Sequence, residues 1–207
     1  MNSRRQTWFE GWRLFAVLAL ALTALCVGVA GMRGFEVDGV RMVIRFTART
    51  SLMFFCLAFS AAALARLWPN AWTRWLRRNR RYLGVSFAAS HAIHAVAILA
   101  FAVMDPAGYA AATSIASYIF GGIGYAFIIA MTATSFDRTA AAIGARAWRA
   151  LHLTGGYYLL FQFTVSFGKR IPDMPLYALF LLPLVAVFVL RMVSMAAKAA
   201  PRPARAG

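Results

Sequence analysis

Three histidines are the side chains of this sequence whose type and setting could do chemistry. His91, His94 and His152 are its only histidines, and each lies within a long apolar stretch. His91 and His94 are three residues apart, a spacing that places them on nearly the same helix face, about one turn apart. Ionisable side chains in apolar spans are costly and tend to mark function. Because neutral imidazole is an axial ligand of haem iron, all three are candidates for binding a cofactor.

Two arginines at the start of the second apolar segment are candidates for anion binding. Arg45 and Arg49 are four residues apart, so they share one helix face, and no acidic residue is close to them in the sequence. A guanidinium binds a carboxylate through a bidentate fork, which is what the propionates of a porphyrin require. Arginines near a membrane boundary also extend their charged groups to lipid headgroups, and the sequence leaves both interpretations open.

Other cofactor chemistries lack the residues that they need. A zinc site is not expected, since no acidic residue is near the histidines and neither cysteine has a metal-ligand spacing to them. Cys26 and Cys56 lie in apolar runs and are expected to be small buried hydrophobic residues rather than a disulfide pair. The glycines at 121–124 lie inside an apolar segment rather than between a strand and a helix, so they are not a nucleotide loop. A nicotinamide or flavin would therefore have to be held by another chain.

The composition indicates an integral membrane protein. Of 207 residues, 62% are hydrophobic and 14% are charged, whereas soluble domains have about 45–50% apolar and about 25% charged residues. A compact soluble fold, a disordered chain and a disulfide scaffold are therefore excluded. The net charge of +16 is explained by basic residues at the cytoplasmic ends of membrane helices, so we expect the partner to be the lipid bilayer and no nucleic acid.

Six apolar segments are long enough to cross a membrane, which takes about 20 residues each. The sequence therefore predicts an all-α integral membrane protein, a six-transmembrane-helix bundle with residues 1–207 in a single membrane domain. Pro175 is expected in the first turn of the sixth helix, and Pro183 is expected to kink it. The basic tail, 197–207, is expected to be disordered. The predicted spans are 14–31, 43–67, 83–104, 112–134, 147–167 and 176–195.

Basic residues concentrate in alternate connections between these spans. The connections around 66–82 and 135–149 are rich in arginine, whereas the one around 105–111 has no basic residue. By the positive-inside rule, both termini are expected to be cytoplasmic, and the protein is expected to be multi-pass in the bacterial inner (plasma) membrane. The basic residues assigned to the cytoplasmic side are Arg4, Arg5, Arg13, Arg66, Arg74, Arg77, Arg78, Arg80, Arg81, Arg138, Arg146, Arg149, Lys198, Arg202 and Arg205.

Three short motifs resemble those of a known membrane family. The run Arg80-Arg-Tyr-Leu-Gly84, followed after nine residues by His94, is similar to a signature of the ferric reductase-like transmembrane domain. Trp148-Arg-Ala-Leu-His152 resembles the motif on the fifth helix of that family, and Ala48-Arg-Thr-Ser51 resembles an arginine motif at the outer start of its second helix. The resemblance covers roughly residues 40–170. The small members that the chain resembles are the haem-binding membrane subunit of the methionine sulfoxide reductase system and stand-alone bacterial ferric reductase-like proteins.

The resemblance implies b-type haem, held by histidines on the third and fifth helices, that passes electrons across the membrane. Members of the family carry two histidines on each of these helices, but here Arg80 and Val165 occupy one position on each. A stacked pair of bis-histidine haems is therefore excluded. One haem could be held between His152 and either His91 or His94. Gln162, Met53 or an open coordination site could instead complete the axial set.

These expectations leave two functional hypotheses from different classes. In the first, the chain binds one haem b and relays electrons from quinol or a partner flavoprotein to a periplasmic acceptor, which could be ferric iron or a partner reductase. Whether it is itself a ferric reductase-like oxidoreductase or an electron-transfer subunit stays open. In the second, the chain is a haem-free membrane binding or assembly protein of the same family that has lost its redox function. The absorption spectrum of the purified protein separates the two.

Overall fold

The described part of the chain is entirely helical in its regular structure. The computed structural model describes residues 9–199. Arg4, Arg5 and the predicted tail from residue 200 onward, with Arg202 and Arg205, lie outside the described residues. The elements are α1 (Gly11–Gly31), α2 (Val37–Leu67), α3 (Ala71–Met104), α4 (Pro106–Ala112), α5 (Ile115–Ala133), α6 (Asp137–Gly168), a 3₁₀ helix (Pro175–Phe180) and α7 (Leu181–Ala199).

Five stretches are long and apolar enough to cross a membrane: α1, α2, α3, α5 and the stretch Pro175–Ala199. Many large apolar side chains on these helices are exposed, including Leu20, Val103 and Ile115 at 74–81%. Such surfaces suit contact with lipid, and the architecture is that of a multi-pass α-helical membrane protein. The fifth predicted span, 147–167, corresponds to the later part of α6, which is long but less apolar and is not among the five.

The connections that alternate with the spans are shorter than the sequence predicts. The stretches 71–82 and 137–149, expected within connections, are helical and belong to α3 and α6. Asn70 starts α3 with a capping box, in which its side chain accepts from the Thr73 amide at 2.9 Å and Thr73 Oγ1 accepts from the Asn70 amide at 3.0 Å. Helices α3 and α6 can include these charged stretches because arginine side chains are long enough to place their guanidinium groups in polar surroundings.

The sixth predicted span, 176–195, begins and ends differently from what the sequence predicts. Pro175 begins the 3₁₀ helix, as a first-turn proline should. Pro183 does not kink a helix interior, because α7 begins at Leu181 and places Pro183 in its first turn. There the missing amide hydrogen costs nothing. Residues 197–199, expected to belong to a disordered tail, are the helical end of α7.

We call the two ends of the helix bundle the upper end and the lower end. The upper end contains the α1–α2 and α6–α7 connections (32–36 and 169–174), and the lower end contains the α2–α3 and α5–α6 connections (68–70 and 134–136). The pairing of α2 with α3 is the most extensive helix contact. The main apolar core joins five of the helices and the 3₁₀ helix: Leu52, Phe55 and Cys56 of α2, Phe87 of α3, Ile128 of α5, Leu159, Leu160, Phe163 and Phe167 of α6, Tyr177 of the 3₁₀ helix, and Leu184 and Val187 of α7. Cys26 and Cys56 are buried free thiols, as expected.

Helix α6 is broken near its lower end. Gly144 has a φ of 76°, in the left-handed region that glycine adopts without strain, so the first turns of α6 are set at an angle to the rest. An ion pair between Arg81 and Asp137 ties this lower segment to α3, and the hydrogen bond from Arg81 holds the pKa of the exposed Asp137 carboxyl below its usual range. The part of α6 beyond Gly144 carries the residues of the candidate site.

Candidate functional site

His94 is fixed against α2 by its Nδ1 atom. That nitrogen lies 3.1 Å from the carbonyl oxygen of Ile44 and 3.0 Å from Thr47 Oγ1. A carbonyl only accepts hydrogen bonds, and Thr47 Oγ1 already donates its single hydrogen to the Val43 carbonyl at 2.7 Å. Nδ1 therefore carries the proton, and Nε2 presents a lone pair. Metal-binding histidines are commonly oriented in this way, with one ring nitrogen donating to a carbonyl and the other left to bind the metal.

His91 lies one turn below His94 and is enclosed by aromatic rings. The two imidazole centroids are 5.3 Å apart, as the three-residue spacing predicts. Around His91 are Phe87 at 5.1 Å, Tyr125 at 5.4 Å and Phe163 at 5.9 Å, measured between ring centroids. Its Nδ1 atom is buried and has no hydrogen-bond partner within residues 9–199. Leaving such a group unpaired costs about 1–3 kcal/mol, so His91 is a candidate to contact a ligand.

A chain of hydroxyl groups locks α2 to α3 beside the histidines. Ser51 Oγ donates to Ser90 Oγ at 2.8 Å, and Ser90 Oγ donates to the Thr47 carbonyl at 3.2 Å. Ser51, Ser90 and Thr47 are fully buried. Because each of these hydroxyl groups is hydrogen-bonded, the contact between α2 and α3 beside His94 is rigid.

His152 belongs to a separate group of residues at the lower end. Its ring stacks on Trp148 with centroids 4.2 Å apart, and its Nε2 atom lies 3.1 Å from Thr134 Oγ1. Thr134 Oγ1 donates to the Ala130 carbonyl at 2.8 Å, so it accepts from His152 Nε2. The guanidinium of Arg80, at the family's histidine position on the third helix, lies 6.0 Å from the Trp148 ring.

The structure does not bring His152 together with His91 or His94. The α6 residue beside His91 is Phe163, which comes eleven residues after His152. At 1.5 Å per residue, the two positions are about 16 Å apart along the helix axis. Two axial ligands of one iron must be only a few ångströms apart, so a haem shared between His152 and the α3 histidines does not fit this arrangement. Val165, at the other family histidine position, is 45% exposed.

Met53, one of the alternative second ligands, is not available at the His91 and His94 site. Met53 is 57% exposed, so its side chain is on the surface of the bundle rather than in its interior. The rings of Phe87, Tyr125 and Phe163 occupy the space between α3 and α6 at the level of His91. Among residues 9–199, no group of three or more His, Cys, Asp or Glu side chains could hold a metal ion. The donor set therefore fits one axial haem ligand, His94, and does not fit a bis-histidine pair.

Gly155 and Gly156 of α6 are covered by packed side chains, which fill the space that a macrocycle would need. A Cβ atom added to Gly155 would lie 2.8 Å from Met131 Sδ and 3.0 Å from a Phe127 ring carbon. One added to Gly156 would clash with the Phe59 ring. These glycines allow close approach of neighbouring side chains, a packing role that small residues commonly have in membrane helices.

The two candidate arginines are placed at the upper end. Arg49 packs its guanidinium against Phe180 at 5.4 Å and Tyr177 at 5.9 Å, and Arg170 lies 5.7 Å from the same Tyr177 ring. Arg45 is exposed on the same helix. Arg49 and Arg170 thus bracket one aromatic ring, which concentrates positive charge beside Tyr177.

One charged residue of the bundle was missed by reasoning from the sequence. Arg191 interrupts the apolar run of the sixth predicted span, and a charged residue in such a run tends to mark function. Its Nη1 atom donates to the Phe59 carbonyl at 3.0 Å, and its guanidinium lies 3.8 Å above the Phe59 ring.

Comparisons of the chain with protein-family models, with curated proteins and with solved structures found no match. The resemblance to the ferric reductase-like domain therefore depends on the motifs around Arg49, Arg80, His94 and His152.

Proposed function

We propose that this chain is a membrane protein that binds one haem b through His94 and relays single electrons across the bacterial inner membrane. The observation that supports it is the fixed His94 ring, whose Nδ1 proton is committed to the Ile44 carbonyl at 3.1 Å and whose Nε2 is left to bind iron. The donor would be quinol or a partner flavoprotein. The acceptor would be periplasmic, either ferric iron or a partner reductase.

The proposed topology has six spans and both termini in the cytoplasm. The part of α6 beyond Gly144 serves as the remaining span, since Leu159, Phe163 and Phe167 pack in the main core beside the other spanning helices. The lower end, with Arg74, Arg77 and other basic residues, is then cytoplasmic by the positive-inside rule. The upper end, nearer to His94, is periplasmic, which places the haem on the acceptor side.

Each residue of the site has a separate task in this proposal. His94 binds the iron, while Ile44 and Thr47 hold its imidazole in one orientation and raise its basicity. The aromatic rings around His91 exclude water and lower the local polarity, which tunes a redox potential. Arg49 and Arg170 supply cations for propionates at the upper end. When bound, haem supplies a reversible one-electron iron couple.

One observation favours the haem-free alternative. Phe163 occupies the position on α6 that faces His91, and its ring also contacts Phe87 at 6.1 Å and Phe55 at 5.4 Å. In this interpretation the bundle interior is a packed core, and His91 and His94 serve polar contacts between helices. The alternative predicts a protein that purifies without a chromophore.

Carbon monoxide tests the single-ligand arrangement. Because His94 would be the single protein ligand in this proposal, the dithionite-reduced protein should bind carbon monoxide readily and show a shifted Soret band. The measurement is a difference spectrum of the reduced protein with and without the gas. A haem spectrum that does not respond to carbon monoxide would indicate two strong axial ligands and would contradict the proposed arrangement.

A further inference from the structure

A second polar site lies between α2 and α7, away from the histidines. Arg191 is about 12 Å from the end of α7, counted as eight residues at 1.5 Å each, and is half-buried. Besides its bond to the Phe59 carbonyl, its Nε atom donates to Tyr157 Oη at 3.3 Å. All of these partners are neutral. Ionisable side chains within spanning helices are costly and tend to be paired, so a cation whose partners are neutral is a candidate to bind an anion.

Arg66 enters the same groove from α2. Its Nη1 atom donates to Ser194 Oγ at 2.7 Å and to the Ser194 carbonyl at 3.0 Å, one turn beyond Arg191 on α7. Ala62 and Ala63 form the opposite wall, and the cavity that these residues line with Met195 has a volume of about 130 Å³. At about 30 Å³ per water molecule, this is room for roughly four waters or for a tetrahedral anion.

The groove holds two positive charges and no negative one. Within residues 9–199 the ion pairs are Arg78–Glu10 and Arg81–Asp137, both outside this groove. Two guanidiniums beside one small cavity repel each other unless an anion lies between them, and each keeps N–H donors beyond those used in the bonds above. The chemistry of the groove is therefore that of a phosphate site, which arginine suits through its planar donor fork.

We propose that this groove binds the phosphate of an anionic phospholipid. Arg66 is exposed and is the penultimate residue of α2, at the lower end of the bundle. Basic pockets between spanning helices on the cytoplasmic side are typical sites for anionic headgroups. The neighbouring α7 surface offers exposed apolar side chains, Val185, Phe188 and Val189, against which acyl chains can pack. The site does not depend on whether the chain binds haem.

Native mass spectrometry of the detergent-purified full chain tests this site. Phosphatidylglycerol should remain bound in preference to phosphatidylcholine, because only the former carries net negative charge. Replacing Arg66 by glutamine should weaken phosphatidylglycerol binding by about tenfold or more, since a charge-assisted hydrogen-bond pair is lost. The matched control is Arg74→Gln, an exposed arginine that bonds only to the nearby Pro69 carbonyl at 3.4 Å, and it should bind as the parent does.

A second variant and a second ligand complete the test. Arg191→Lys keeps the charge but loses the planar fork, so it should reduce lipid retention while the protein stays folded. Inorganic phosphate at millimolar concentration should not displace the lipid. Displacement would show that the groove takes free phosphate instead of lipid. If Arg66→Gln and the parent retain the same amount of lipid, the proposed lipid site is wrong.

Discussion

Replacing His94 by alanine should remove haem from the purified protein. His94 is the imidazole whose ring is held by two partners through Nδ1, so its Nε2 atom is the best-oriented donor in the bundle. We expect haem occupancy to fall by roughly tenfold or more, since loss of even a supporting partner commonly costs 10–100-fold in affinity. The measurement is the Soret absorbance per chain after purification with ample haem supply.

The control for this variant is His152→Ala. His152 stacks on Trp148 and donates to Thr134 at the lower end, about 16 Å along α6 from the residue beside His91. Its removal should leave the Soret band in place. If His152→Ala bleaches the protein and His94→Ala does not, the haem is at the lower end and the assignment made here is wrong.

Replacing Gly156 by alanine should destabilise the bundle by about 1–3 kcal/mol, the usual cost of overpacking an interior. The added methyl group would meet the ring of Phe59, which cannot move freely because Phe55 stacks on it at 5.2 Å and Arg191 lies on it at 3.8 Å. The measurement is the midpoint of thermal unfolding in detergent, compared with that of the parent protein.

Gly122→Ala is the matched control. A Cβ atom at Gly122 would have no neighbour within 4 Å, so the same substitution should leave the unfolding midpoint unchanged or slightly raised. If both variants have the same unfolding midpoint as the parent protein, the space beside Gly156 is open rather than filled. That result would mean that Gly155 and Gly156 leave room for a macrocycle.

The apolar spans were largely predictable from the sequence because the bilayer imposes their length and composition. Helices α1, α2, α3 and α5 and the stretch from Pro175 to Ala199 all fall on predicted spans. Their ends were less predictable, because helices continue past the apolar region wherever arginine can reach polar surroundings. The start of α7 differed because the chain uses a 3₁₀ turn ahead of Pro183.

The sequence predicts the contacts of the site that lie within one helix, but not those between helices. The contact between His91 and His94 follows from their spacing on α3. The level of His152 relative to α3 depends on how α6 packs in the bundle, and the break at Gly144 has no periodic signal in the sequence. The role of Thr47 and Ile44 depends likewise on the register between α2 and α3, which motifs do not encode.

The haem content of the unmodified chain, purified in detergent after expression with ample haem, tests the proposed function most directly. We expect a Soret band, visible bands that sharpen on reduction with dithionite, and one haem per chain. A colourless protein that is folded and retains phosphatidylglycerol would contradict the electron-transfer function. It would instead support a packed, haem-free bundle in which His94 joins α3 to α2.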